Sequence, residues 1–311
     1  MTAFHTEPFK TPEDRSAAAA LAKPRRQQMI KNLLYRSPLF KQGVDFISEF
    51  HHPVEESAAD AGVIGGLLGE SHAGKTKMCE YYLSRHAGGV GEWAEVYPVI
   101  YLPATEQMTP SQMAEQLYHL TGARSIPNIK TASLMRNAIL RLAAMKTELV
   151  IIDDAQFLFF DRVGAQVRAF RGFVKELADA KLFNVLLVGE ERMHEAIHQI
   201  KPLANRGGFP ANFVRPLGND GTEFEMFRLL LAKIDDRLPF LSKSGLENEV
   251  WAKDFHHYSG GKIGPLMNMI SRAAYMALRQ DTACVMVEHL RAASDMLRAP
   301  NDRYPYFAKR A

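Results

Sequence analysis

At 311 residues with 47% hydrophobic content, the chain can hold one large domain or two modest ones around an ample core, which excludes a disordered chain. Its formal net charge of +3 permits nucleic-acid binding without arguing for it. The N-terminus lacks a basic segment followed by an apolar one, and no apolar run reaches the roughly 18 residues of a membrane span, so a cytoplasmic protein with no signal peptide is expected. Cys79 and Cys284, far apart, read as small buried thiols of a reducing compartment rather than a disulfide or metal pair.

Residues 1–28 carry Pro8, Pro12 and Pro24 with little to bury, and are expected as a flexible or partner-docked arm. Met29 to Tyr35 reads as an amphipathic helix, preceded by a basic cluster, Lys23 to Arg26, that suits either phosphate contact or a solvated helix start. Ser37 and Pro38 then read as cap and first residue of a helix to about His51.

Gly62 to Leu68 is a short buried strand, and Lys77 to His86 a helix with Met78, Tyr82 and Leu83 on one side. Between them Gly69, Glu70, Ser71, His72, Ala73, Gly74, Lys75 and Thr76 fit the pattern G-x-x-x-x-G-K-[ST] in its required strand-loop-helix context. The chemistry asks for these residue types. Gly69 and Gly74 let the backbone turn its N–H groups toward phosphates at a helix N-terminus, Lys75 supplies a mobile cation, and the Thr76 hydroxyl is a ligand for Mg²⁺. The stretch is therefore an ATP and Mg²⁺ site.

Ala94 to Leu102 reads as the second strand, followed by a loop containing Gln107 and Met108 and a helix capped by Thr109 with Pro110 first, reaching about Thr121. A second loop holds Arg124, Ser125 and Lys130, and a helix from Ala132 to Met145 follows. The polar and basic tips of these loops suit DNA backbone contacts or ordinary solvated loops equally. Thr147 to Asp154 is an apolar run ending in paired carboxylates, as a central parallel strand delivers acids to its C-terminal edge. Asp153 would hold the Mg²⁺ shell and Asp154 would orient the attacking water.

Phe157 to Phe160 covers that edge and leads into a helix from about Val163 to Ala180, on which Arg168, Arg171 and Lys175 form a basic stripe that also suits a solvated face. Phe183 to Gly189 is a further buried strand, and Glu190 stands at its end. After Arg206 and Arg215 only helix signals follow, at Thr222 to Ile234, Gly245 to Phe255, Ile263 to Gln280 and Val287 to Leu297. The expected fold is thus an α/β P-loop core with a parallel sheet (29–218), a small all-helical C-terminal lid (219–298) and a tail (299–311), Asn301 onward, that reads as frayed or partner-binding.

The order of phosphate loop, acidic strand, sensing strand, late arginine and helical lid resembles the AAA+ ATPases. More closely, Leu68 to Thr76, Leu149 to Gln156, Leu186 to Gly189 and Ser259 to Gly264 resemble the transposition-regulator ATPases TniB and TnsC, over roughly residues 30–295. That resemblance implies a protein that assembles on double-stranded DNA as an ATP-dependent ring or helical homo-oligomer, hexameric per turn, alongside a DDE-type transposase and a TniQ-type target selector. It makes Arg206 an arginine finger for the neighbouring subunit, and aligns Gln107, Met108, Arg124, Ser125 and Lys130 with DNA-tracking loops.

The chain departs from the family pattern in three places. Asp154 stands where a glutamate is usual, Glu190 where a Thr or Asn sensor is, and Pro265 near the usual arginine sensor, leaving Lys262 as the nearest cation. A monomeric P-loop kinase or phosphotransferase, and a signalling ATPase that binds only protein, are the other readings of the same loop.

Overall fold

The computed structural model describes residues 4–51, 62–91, 95–160 and 164–308. The expected starts of the second strand at Ala94 and of the helix at Val163, and the last three residues of the tail, lie outside them.

The chain divides into two compact units. One contains residues 39–71 and 75–214, the other residues 1–38, 72–74 and 215–311. The second grouping differs from the sequence expectation, because the N-terminal 38 residues join the C-terminal helices instead of forming an arm and the start of the core.

That N-terminal segment forms α1 (Pro12–Ala19) and α2 (Lys23–Lys31). A capping box between Thr11 and Asp14, with Pro12 first, starts α1. Buried Arg15 donates to the carbonyls of Asp235 and Phe240, and buried Arg26 donates to that of Pro239 at 2.8 Å. A basic cluster that from sequence suits either phosphate contact or a solvated helix start thus has Arg26 turned inward, its guanidinium satisfying the Pro239 carbonyl. Ile30 and Leu33 join the apolar core of this unit.

In the α/β unit, α3 (Pro38–Phe50) begins at the expected proline and β1 (Ile64–Gly69) runs into α4 (Lys75–Arg85). A small hairpin of β2 (Gly89–Val90) and β3 (Glu95–Val96) precedes β4 (Val99–Pro103). Thr109 closes a capping box with Gln112 on α5 (Pro110–Leu120), and α6 (Thr131–Ala144) leads to β5 (Leu149–Asp153). Then come α7 (Gln156–Phe159), α8 (Ala165–Asp179), β6 (Asn184–Gly189), α9 (Met193–Gln199), α10 (Lys201–Ala204) and β7 (Ala211–Val214).

The sheet is five-stranded in the order β4-β5-β6-β1-β7, and every pairing in it is parallel. The sequence marks Phe213 and Val214 only as a segment before Pro216; pairing with β1 makes them the edge strand β7. All residues of β1, β5 and β6 are buried, which is why these three read as unbroken apolar runs while β4 and β7 at the edges do not. Asn184 clips the sheet to α3: its Nδ2 donates to the Phe50 carbonyl, and its Oδ1 accepts the N–H groups of Gly62 and Val63.

The other unit is completed by α11 (Gly221–Asp235), α12 (Glu249–Ser259), α13 (Ile263–Arg279) and α14 (Val287–Leu297). Buried Phe227, Phe240, Phe255, Leu266 and Met269 form its core. The tail expected to fray or bind a partner packs here: Phe307 is 1% exposed, its N–H donates to the fully buried Asp254 carboxylate, and Tyr304 donates its hydroxyl to the same group. Among the described residues no helix is long and apolar enough to cross a membrane.

Candidate nucleotide site

β1 carries the phosphate loop out of the sheet at Gly69, where a Cβ would run into the Val214 carbonyl of the neighbouring strand, so only glycine fits. Gly74, at φ 101°, sits in a backbone region that favours glycine, and α4 starts at Lys75. The loop thus delivers successive N–H groups to a helix N-terminus, the arrangement that binds phosphate.

Lys75 is buried and folds back on its own loop, donating at 2.8 Å to the carbonyls of Gly69 and Glu70. Burial pushes its ammonium below its ordinary range, opposed by the carboxylates of Asp153, Asp154 and Glu190. A cation held by neutral loop carbonyls can exchange them for the oxygens of an anionic ligand.

Asp153, at the end of β5, is 3% exposed. Its Oδ2 accepts from the Thr76 hydroxyl at 2.7 Å and from the Tyr101 hydroxyl at 2.6 Å, and its Oδ1 accepts the Asp154 N–H at 2.8 Å. The pairing of Thr76 with Asp153, 77 positions apart, brings the two oxygen donors expected to hold Mg²⁺ within contact of each other. A hard cation that retains water and phosphate oxygens needs only one or two protein oxygens, so this donor set fits Mg²⁺. Among the described residues no cluster of three or more His, Cys, Asp or Glu side chains offers an all-protein cage.

Asp154 is exposed at φ 52°, a left-handed conformation that aspartate tolerates, and its Oδ1 accepts from the Gln156 side-chain amide at 3.0 Å. Glu190, the carboxylate in the sensor place, is bonded at 2.6 Å by Arg192, whose guanidinium also lies 4.4 Å from the Phe160 ring centre. A cation therefore accompanies the acid that would otherwise repel phosphate. Tyr101 and Arg192 lie in no motif of the sequence, and Gln156 closes the stretch Leu149 to Gln156 with no role assigned to it there.

Arg206 belongs elsewhere. Its carbonyl accepts the N–H of Ile64, the first residue of β1, whereas the phosphate loop leaves the last. Those ends are about 17 Å apart at 3.3 Å per residue. Its guanidinium is held by Asp179 and the Pro202 carbonyl.

Of the expected DNA-contacting residues, Gln107, Arg124, Ser125 and Lys130 are exposed. Met108 is not: it is 2% exposed, in the core cluster with Met113 and Leu117, so the apolar side chain of this loop packs inward and cannot meet DNA. Cys79 is fully buried, and burial drives its thiol well above the usual range, as an inert core thiol requires.

The parallel sheet, the loop after β1, the paired acids after β5 and the helical C-terminal region together define the AAA+ P-loop fold. Residues 60–197 match the family model of the AAA domain. Solved structures of the same fold include the ORC1 protein of Aeropyrum pernix in complex with DNA, at 16% identity over 83% of this chain and 65% of that one, with a TM-score of 0.58. The ORC2 protein of the same organism, in ADPNP and ADP complexes, aligns at 14% identity over 86% and 69%, with a TM-score of 0.59. Cdc6p from Pyrobaculum aerophilum aligns at 12% over 84% and 68%, with a TM-score of 0.55. The chain spans 65% of the length of the first of these relatives, and at these identities the likeness is one of fold. No curated protein matches the sequence.

Proposed function

We propose that the chain is an AAA+ ATPase that binds ATP with Mg²⁺ at Gly69 to Thr76, assembles on double-stranded DNA, and acts as a nucleotide-controlled switch in DNA transposition. The observation that carries the nucleotide reading is the Thr76 hydroxyl on Asp153 at 2.7 Å beside a buried Lys75. Thr76 and Asp153 would hold the Mg²⁺, which would neutralise phosphate charge when bound, and the chain's own groups do the rest. Lys75 exchanges its loop carbonyls for phosphate oxygens, and Asp154, steadied by Gln156, accepts the proton of the water whose oxygen bonds to the γ-phosphorus as the bond to the ADP oxygen breaks.

Assembly is supported by the place of Arg206, whose carbonyl pairs with the end of β1 away from its own phosphate loop, as a finger for a neighbour's nucleotide requires. DNA binding is supported by the exposed Arg124, Ser125 and Lys130, and by a fold shared with a protein captured in complex with DNA. Contacts of this kind read backbone charge, so affinity falls steeply with salt. The resemblance of Leu68 to Thr76 and Leu149 to Gln156 to TniB and TnsC supports a transposition role, with a DDE-type transposase and a TniQ-type selector as partners.

The test is particle size by light scattering or electron microscopy, with a short random duplex and no nucleotide, ADP, or a non-hydrolysable ATP analogue. Assembly that requires both duplex and analogue is expected. A monomer in every condition removes the switch and leaves a phosphotransferase as the better reading.

A further inference from the structure

We propose that Tyr101 is a positioning residue for the metal-holding carboxylate, a role that rests on the nucleotide reading of the site. The relevant geometry comes from the sheet register. In the parallel pair of β4 and β5, Tyr101 lies opposite Ile151 and Pro103 opposite Asp153. Residues two apart on a strand share a face, so Tyr101 and Asp153 point the same way, one two-residue step out of line. That step is about 6.6 Å along the strand, which the length of a tyrosine side chain spans. A shorter hydroxyl residue at the same position would fall short of Asp153.

The resulting bond, 2.6 Å from the Tyr101 hydroxyl to Asp153 Oδ2, is the shortest that the carboxylate accepts. It differs from the Thr76 bond in a way that matters for the metal. Thr76 would lend an oxygen lone pair to Mg²⁺ while its proton stays directed at Asp153, so its bond to the carboxylate would shift with the ion. Tyr101 is not needed as a ligand and keeps its bond. With the Asp154 N–H fixing Oδ1, Tyr101 holds the other oxygen from a group outside the metal's shell, so the carboxylate plane would stay set as Thr76 takes up the ion. Outer partners of metal-holding groups tune affinity through such orientation.

The test uses full-length wild type and Tyr101→Phe, titrated with a slowly hydrolysed ATP analogue by calorimetry, in EDTA and across a MgCl₂ series. Equal affinity in EDTA is expected, with the Mg²⁺ concentration for half-maximal tightening raised about tenfold in the variant. Replacement by p-aminophenylalanine, which keeps a para donor, returns that value toward wild type. Replacement by p-methylphenylalanine, of similar size without a donor, does not. The last pair carries the comparison if the phenylalanine chain melts lower in EDTA.

An unchanged Mg²⁺ requirement in the variants lacking the donor overturns the proposal, and so does an equal loss of affinity with and without Mg²⁺, which marks a structural role. A wild type whose nucleotide affinity ignores Mg²⁺ overturns the reading of the site itself, a separate result.

Discussion

Arg206 Nε donates to Asp179 Oδ1 at 2.6 Å, and Lys175, one turn before Asp179 on α8, donates to the other oxygen at 2.7 Å. The arginine proposed to reach a neighbouring subunit's nucleotide is therefore already bound within its own chain. To serve as a finger it must leave Asp179, and the carboxylate competes with the neighbour's phosphate for it.

Removing the competitor should expose this. Asp179→Ala is expected to raise duplex-stimulated ATP hydrolysis several-fold, and Arg206→Ala to lower it by at least about 10³-fold with ATP binding near wild type. Steady-state hydrolysis against protein concentration measures both. Full stimulated activity in Arg206→Ala sinks the finger.

The same pair fixes a pH dependence. Burial pushes the Asp179 carboxyl up, but the hydrogen bonds from Lys175 and Arg206 outweigh it and hold the group below its ordinary range. A folded-state value below the unfolded one, near 3.9, gives stability that is present above that pH and lost as pH falls through the folded value. The Asp179 side chain is 41% exposed, so solvent screening keeps the contribution below about 1 kcal/mol. The melting temperature of wild type should exceed that of Asp179→Asn slightly at pH 6, and the gap should close below about pH 4. A gap that widens in acid contradicts the assignment.

Lys75→Ala removes a buried cation from carbonyls that can bond water in its place. Its melting temperature without ligand should stay within a few degrees of wild type, while the stabilisation by ATP and Mg²⁺, about 2.7 kcal/mol at a hundred times Kd, should vanish. Thermal melts with and without nucleotide separate the two effects. Retained nucleotide stabilisation places the site elsewhere.

Asp154 is shorter by one methylene than the glutamate usual in this place. Asp154→Asn keeps the shape and the tolerance for φ 52° but cannot accept a proton, so hydrolysis should fall by about 10²-fold or more with analogue binding intact. Asp154→Glu should quicken turnover. Single-turnover rates with saturating ATP give the comparison, and an asparagine variant as fast as wild type removes Asp154 as base.

Arg15 is 6% exposed, with its guanidinium on the carbonyls of Asp235 and Phe240. Arg15→Ala removes the side-chain donor from the Phe240 carbonyl and leaves the Asp235 carbonyl with the Leu238 N–H alone, at a cost of about 1–3 kcal/mol. Amide exchange in residues 5–34 should speed up markedly in the variant. Unchanged protection there means that the N-terminal segment is held without Arg15, by its apolar contacts and its other hydrogen bonds.

Much of the nucleotide site was legible because its chemistry is local. Gly69 to Thr76 needs its residues in one loop, and Leu149 to Asp153 is apolar throughout because a central strand is buried on both faces. The helices were legible for a similar reason, their caps at Thr109 and their starts at Pro38 lying within a turn of the residues they serve. The sequence alone therefore determined the P-loop class, the alternation of strand and helix followed by helices only, and Lys75, Thr76, Asp153 and Asp154 as the candidate site residues. Only the tertiary structure decided that Tyr101 reaches Asp153, that Asp179 holds Arg206, that Met108 turns inward, and that Arg15, Arg26 and Phe307 pack into one helical unit. Each of those depends on sheet register or on contacts between residues far apart in the chain, and periodicity along a sequence carries no record of which distant carbonyl or carboxylate a side chain will meet.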